Sequence, residues 1–212
     1  MEQRNGTPSL WMFYLSAVYV GVFGFLVLLL GVAKTPSWSE LLALGDARQV
    51  WGLGTILGLL VVAMQIGIAV FLPERLWADD GTNALFTRLS YSHIFMLMAL
   101  TALAEELFFR AAIQSLLLRW IPSVGVGLAV AAAVFAVAHV RYLTRPVLLV
   151  GAWVIGLLLG WAYWFTGSIW TAVWAHFLFN VTMTVVGKQG WFLPGWRSST
   201  GERRRFRRPG PQ

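Results

Sequence analysis

Apolar residues along this chain occur in six long runs that are separated by short polar connections. A helix needs about 20 apolar residues to cross the hydrocarbon core of a bilayer, and continuous runs of this length favour helices. The pattern therefore predicts an all-α polytopic membrane protein, in which about six transmembrane helices form one bundle. The predicted spans are residues 11–33, 50–72, 91–118, 123–140, 147–165 and 168–186.

The composition agrees with this class. Of 212 residues, 58% are hydrophobic and 12% are charged, against about 25% charged in an ordinary soluble domain. The chain has no cysteine, which excludes disulfides, thiolate metal sites and a cysteine nucleophile.

Basic residues predict the orientation of the bundle. One side collects Arg4, the four loop positions Arg75, Arg88, Arg141 and Arg145, and a tail with seven basic residues. The other side has only Lys34, Arg48 and Arg119, so the split is twelve to three. The side richer in Lys and Arg is expected to be cytoplasmic. We therefore expect a multi-pass protein of the cell membrane with both termini in the cytoplasm. The tail accounts for much of the net charge of +7, and we expect it to contact anionic lipids and not nucleic acid.

The third apolar run contains charged residues. Glu105, Glu106 and Arg110 lie within it, and each charge at the centre of a span costs about 2.5 to 3.5 kcal/mol. Glu106 and Arg110 are four residues apart with the acid first, which predicts an ion pair on one helix face. Glu105 points about 100° away and has no partner on its own helix. An unpaired buried carboxylate is a candidate general base or acid.

Other polar residues lie in the later runs. His139 ends the fourth run, and His176 and Asn180 lie one helical turn apart in the sixth. Two hydrogen-bond donors on one rigid face can stabilise an oxyanion. Polar groups inside a membrane are better satisfied by each other than by lipid, so Glu105, His139, His176 and Asn180 are predicted to meet. Glu105, however, lies about 21 Å along the helix from Tyr91, whereas His139 is expected near the cytoplasmic end.

Three motifs resemble those of a known family. Residues 105–110, EELFFR, resemble the EExxxR motif of the CPBP family, the CAAX prenyl endopeptidase and bacteriocin-processing group also called Abi. Residues 135–139, FAVAH, are similar to its FxxxH motif. Residues 167–170, GSIW, and 176–180, HFLFN, resemble its GSlw and HxxxN segments. The resemblance runs from Glu105 to Asn180 and does not include the first two helices or the tail. We therefore expect a two-helix membrane segment in residues 1–90, a CPBP-like catalytic helical core in 91–186 and a basic cytoplasmic tail in 187–212.

The resemblance implies an intramembrane glutamic-type endopeptidase that cleaves a membrane-embedded or membrane-anchored peptide. It implies that Glu105 is the general base, and that His139 holds and polarises the attacking water. It places His176 and Asn180 in the oxyanion hole. The pair of Glu106 and Arg110 then supports the site.

Three alternatives stay open at this point. Glu105, His139 and His176 could instead ligate zinc as a set of two histidines and one carboxylate, although the HExxH motif of many zinc proteases is absent. We therefore expect no cofactor, with zinc as the alternative. Intramembrane Glu and His also mark proton-coupled transporters. A non-catalytic immunity or scaffold protein could retain the same motifs.

Overall fold

The computed structural model describes residues 10–29, 41, 43–77, 85–86 and 88–190. This part of the chain is helical and contains no strand, so the predicted all-α fold is confirmed. Arg4, Lys34 and the tail beyond Gly190 lie outside the described residues. Six long helices follow the six apolar runs: α1, Leu10–Leu29; α2, Gln49–Phe71; α3, residues 91–120; α4, Val124–Ala138; α5, Pro146–Thr166; and α6, Ile169–Gln189.

The described helices differ in their ability to span a bilayer. By length and hydropathy α2, α5 and α6 qualify as spans, whereas the apolar part of α1 and all of α4 are shorter. The 15 residues of α4 extend about 22 Å, less than the hydrocarbon thickness of about 30 Å. The structure thus gives three clear candidate spans among the predicted six, because α4 ends early and α3 carries charges.

Local sequence explains where several helices begin and end. Ser90 and Ser123 accept hydrogen bonds from backbone N–H groups in the first turns of α3 and α4, as N-cap residues do. Pro146 lies in the first turn of α5, where its missing N–H costs nothing. Gly167 ends α5 with φ of +66°, a left-handed conformation that glycine adopts readily. These helix ends define the 139–145 loop between α4 and α5 and the short 167–168 turn between α5 and α6.

Small residues set the approach of α2 to α6. A Cβ atom at Gly54 would lie 3.0 Å from the carbonyl oxygen of Thr171, and one at Gly58 would lie 3.0 Å from that of Ala175. Glycine at these positions lets the two backbones pack closely. Since both helices advance by four residues between the two contacts, α2 and α6 run parallel with a defined register.

Helix α3 changes its winding directly after its two glutamates. Residues Leu107–Gln114 form a π-helix between two α-helical parts, a distortion that often occurs at functional sites. Gln114 at its end is buried and donates a hydrogen bond from Nε2 to the carbonyl oxygen of Gly160, at 2.9 Å. This bond ties the π-helix of α3 to α5.

Candidate active site

Two helices and the end of a third bring the predicted polar residues to one cavity. Oε2 of Glu105, on α3, lies 3.9 Å from Nε2 of His139, at the end of α4, and 4.0 Å from Nε2 of His176, on α6. Asn180 lines the same cavity, which has a volume of about 420 Å³. Much of the remaining wall is apolar and comes from α2, α3, α5 and α6.

The meeting of Glu105 with His139 corrects the depths expected from the sequence. Helices α3 and α4 are joined by the short 121–123 turn. The level of a residue on either helix can therefore be measured as its distance from this turn. Glu105 lies 15 residues before the end of α3, and His139 lies 15 residues after the start of α4. Both residues are therefore about 22 Å from the turn. The two residues thus lie at the same level along the bundle, not at the different levels that the sequence suggested.

Glu106 lies on the closed side of α3, away from the cavity. Its side chain is 0% exposed, and that of Arg110 is 2% exposed. Oε2 of Glu106 is 3.0 Å from Nε of Arg110, and Oε1 is 2.7 Å from Nδ1 of His176. The pair with Arg110 is held by charge, since Nε makes no well-directed hydrogen bond. Glu106 thus has two close cationic or donor partners.

The hydrogen positions of both histidines follow from their partners. Nδ1 of His139 is 2.8 Å from the carbonyl oxygen of Phe135, and a carbonyl can only accept, so Nδ1 carries a hydrogen. Nδ1 of His176 likewise donates to Glu106, which is a carboxylate because it pairs with Arg110. In both rings the Nε2 atom is therefore the one that faces Glu105.

Glu105 is placed differently from its neighbour. Its side chain is 19% exposed, and its Oε2 atom is buried against the site with no hydrogen-bond partner in the described part of the chain. The two nearest nitrogens are too far for direct hydrogen bonds, whose upper limit is about 3.2 Å. The carboxylate is thus oriented towards the cavity and free to interact with a molecule bound there.

Comparison with known proteins identifies the family of this chain. Residues 87–182 match the Rce1-like family, described as type II CAAX prenyl endopeptidase Rce1-like. The uncharacterized protein YpbD of Bacillus subtilis is 32% identical over 136 residues, which cover 64% of this chain and 67% of YpbD. No solved structure matches the chain.

The chain belongs to the CPBP family.

The family assignment fits the helical architecture. Rce1-like proteins are a family of proteases, so the match supports a hydrolase, and the apolar helices together with the family indicate a membrane protein. The matched region begins just before α3 and ends within α6. It includes all the motif residues from Glu105 to Asn180, whereas α1 and α2 lie outside it.

The structure adds residues that sequence reasoning did not assign to the site. The ring of Phe135 lies between Arg110, whose guanidinium carbon is 4.6 Å from the ring centroid, and His139, whose ring centroid is also 4.6 Å away. Tyr142 stacks on His139 at 5.6 Å and 11°. Phe135 belongs to the FxxxH motif, which could have indicated its role. Tyr142 and Gln65 of α2 also line the cavity, but neither belongs to a motif that could have indicated this.

The donor types at the cavity, one carboxylate and two imidazoles, suit a zinc ion, but their spacing does not. Ligands at about 2.0 to 2.1 Å around a tetrahedral zinc lie about 3.3 Å from one another, whereas Oε2 of Glu105 is 3.9 and 4.0 Å from the two Nε2 atoms. Among the residues that the structure describes, no three His, Asp or Glu side chains are grouped closely enough to hold a metal ion. Binding zinc would require these side chains to move closer.

Proposed function

We propose that this protein is an intramembrane endopeptidase. It hydrolyses a peptide bond in a membrane-embedded or membrane-anchored substrate, or in the C-terminal tail of one, with a water molecule that Glu105 and His139 activate. The observation that carries the proposal is the carboxylate of Glu105, oriented to a largely apolar cavity with the Nε2 atoms of two histidines about 4 Å away.

The separation of Glu105 and His139 supports a water mechanism. Two hydrogen bonds of about 2.8 Å from one water span about 4.0 to 4.4 Å between the water's partners, close to the 3.9 Å observed. Such a water donates one hydrogen to Glu105 and the other to the unprotonated Nε2 of His139. Both acceptors orient the oxygen lone pairs towards a substrate carbonyl.

The reaction then needs one proton carrier. Glu105 takes a proton from the water as the water oxygen bonds to the carbonyl carbon of the peptide. Glu105 returns this proton to the peptide nitrogen when the C–N bond breaks. The products are a carboxylic acid and an amine, and Glu105 is again a carboxylate. No metal or other cofactor takes part in these steps.

His176 and Asn180 stabilise the negative oxygen of the tetrahedral intermediate. Asn180 supplies an amide N–H. For His176 to donate from Nε2, the ring must be an imidazolium, because its Nδ1 hydrogen is already directed to Glu106. The carboxylate of Glu106 stabilises that positive charge at 2.7 Å. This role explains why a buried glutamate contacts both Arg110 and His176.

We also propose that the protein resides in the cell membrane with both termini in the cytoplasm. The twelve to three distribution of Lys and Arg supports this orientation. A reporter that works only in the cytoplasm is expected to be active when it is fused after Gln212. Activity of a reporter that works only in the periplasm would overturn the orientation.

The activity is tested with the purified full chain reconstituted in lipid vesicles. The probe is a library of peptides, each attached to a single membrane anchor, with products identified by mass spectrometry. We expect wild type to release defined fragments from some of these peptides, and Glu105→Gln, purified in parallel as the control for contaminating proteases, to release none. A library that stays intact with wild type, or is cleaved equally by both proteins, would contradict the proposal.

A further inference from the structure

Gln65 is a polar residue in the apolar helix α2 whose side chain faces the cavity. Its amide makes no hydrogen bond to another residue in the described part of the chain, unlike Thr55 of the same helix, whose Oγ1 accepts from Nε1 of Trp174 at 2.9 Å. An amide in a transmembrane helix ordinarily bonds to a neighbouring helix. Thr55 therefore has a structural partner within the bundle, whereas the amide of Gln65 is available to a bound molecule.

The register of α2 and α6 places Gln65 along the cavity. Gly58 packs on Ala175, next to His176, and the two helices run parallel. Gln65, seven residues beyond Gly58, is therefore level with residues 182–185 of α6, in agreement with Met183 and Thr184 as members of the same cavity wall. Seven residues of helix correspond to about 10 Å. This is the distance along the cavity between the level of His176 and that of Gln65.

A peptide that occupied the cavity would bring its main chain to this amide. An extended strand advances about 3.3 Å per residue, so 10 Å corresponds to about three residues. A glutamine side chain has one acceptor and two donors, which match the C=O and N–H groups of one extended residue. The neighbouring wall of Ile68, Met98 and Met183 is apolar and suits the side chains of a membrane segment.

We propose that Gln65 binds the main chain of an extended peptide substrate about three residues from the cleaved bond. This inference rests on the proposed endopeptidase function and gives its cavity a substrate-binding subsite outside the motif region. Gln65 holds the peptide in register with Glu105 and takes no part in proton transfer.

The subsite is tested with backbone ester substrates. The probe is an anchored library peptide that wild type cleaves, together with versions in which one N–H at a time is replaced by an ester oxygen. The enzymes are wild type, Gln65→Met, which has similar length and no hydrogen-bonding amide, and the control Thr55→Val. For each enzyme the ratio of kcat/KM between amide and ester substrates is measured, and this ratio is independent of the fraction of enzyme that folds.

In wild type and in Thr55→Val, an ester two to four residues from the cleaved bond is expected to lower kcat/KM about 3- to 10-fold, the loss of one neutral hydrogen bond. In Gln65→Met the parent peptide loses at least this factor, mainly through KM, because the bond to the C=O group is lost as well, and the ester at that position has no further effect. Should Gln65→Met yield too little enzyme, Gln65→Asn, whose amide is one methylene shorter, is measured in the same way.

Two results would overturn the subsite while leaving the proposed function intact. One is a parent KM in the Gln65 variants within 2-fold of that of wild type. The other is an ester effect of the same size in the Gln65 variants as in wild type. Failure of wild type to cleave any peptide would overturn the proposed function and this inference with it.

Discussion

Two adjacent glutamates face two different environments in this protein. On the closed side of α3, Glu106 is 0% exposed and lies within 3.0 Å of both Arg110 and His176. On the open side, Glu105 is 19% exposed, and its nearest basic nitrogens are 3.9 and 4.0 Å away. One carboxylate has its partners within the protein, and the other is available to a molecule in the cavity.

This difference suits the two neighbouring glutamates to different roles, Glu106 to structural support and Glu105 to chemistry. A buried charge with close partners is costly to disturb, so Glu106 is suited to hold its neighbours in place. A general base must instead reach the proton that it removes, which requires an accessible carboxylate. His176 connects the two sides, because its Nδ1 contacts Glu106 and its Nε2 faces Glu105. Glu106 on the closed side thereby orients the ring of a residue whose other nitrogen faces the open side.

The largest combined loss of thermal stability and cleavage activity is expected from Glu106→Gln. Removing one partner of a buried ion pair typically costs about 3 to 5 kcal/mol, which for a chain of this size lowers Tm by on the order of 10 °C. Cleavage should also be lost, because His176 loses its charged acceptor. Thermal unfolding in detergent and peptide cleavage measure the two effects. A variant that melts like wild type would show that the closed side is not held by this pair.

An exchanged pair sharpens this result. Placing Arg at 106 and Glu at 110 keeps both charges, so part of the lost thermal stability should return. Cleavage should not return, since an arginine at 106 cannot accept the hydrogen of Nδ1 of His176. Recovery of activity along with stability would contradict the link from Glu106 through His176.

The next effect concerns the two proposed oxyanion donors. Loss of one such donor typically lowers the rate by about 10² to 10³. Asn180→Ala should show this loss with little change in Tm, since its amide lies at the cavity wall. His176→Ala should show a similar loss and also a lower Tm, because it removes a partner of Glu106. Near-normal turnover numbers in either variant would exclude that residue from the oxyanion hole.

The smallest effect is expected from metal removal. If Glu105 and His139 activate water without an ion, strong chelators should change the cleavage rate by no more than a few-fold, and elemental analysis should find no stoichiometric zinc. Loss of activity on chelation that is restored by added zinc would favour the alternative in which Glu105, His139 and His176 are ligands.

The sequence predicts the parts of this arrangement that depend on one helix at a time. The six apolar runs coincide with the six long helices to within a few residues at the described ends. The spacing of Glu106 and Arg110 places them on one face, and the structure has them 3.0 Å apart. Such features follow from helical periodicity alone.

Features that depend on packing between helices could not be predicted from the sequence. The contact of His176 with Glu106 depends on how α6 is rotated against α3, and this rotation depends on neighbours such as the glycines of α2. The π-helix after Glu106 also has no local signal in its residues. The shared level of Glu105 and His139 could have been obtained by counting residues from the turn between α3 and α4.

The most direct test of the central claim is to measure cleavage and thermal unfolding of Glu105→Gln side by side. The variant has nearly the same shape but cannot take a proton, and Phe109, four residues later, is not a charge that would be left unpaired. We predict that Glu105→Gln cleaves no anchored peptide that wild type cleaves and that its Tm stays within about 2 °C of that of wild type, less than 1 kcal/mol for a chain of this size. Cleavage at a rate near that of wild type would contradict the assignment of Glu105 as the base.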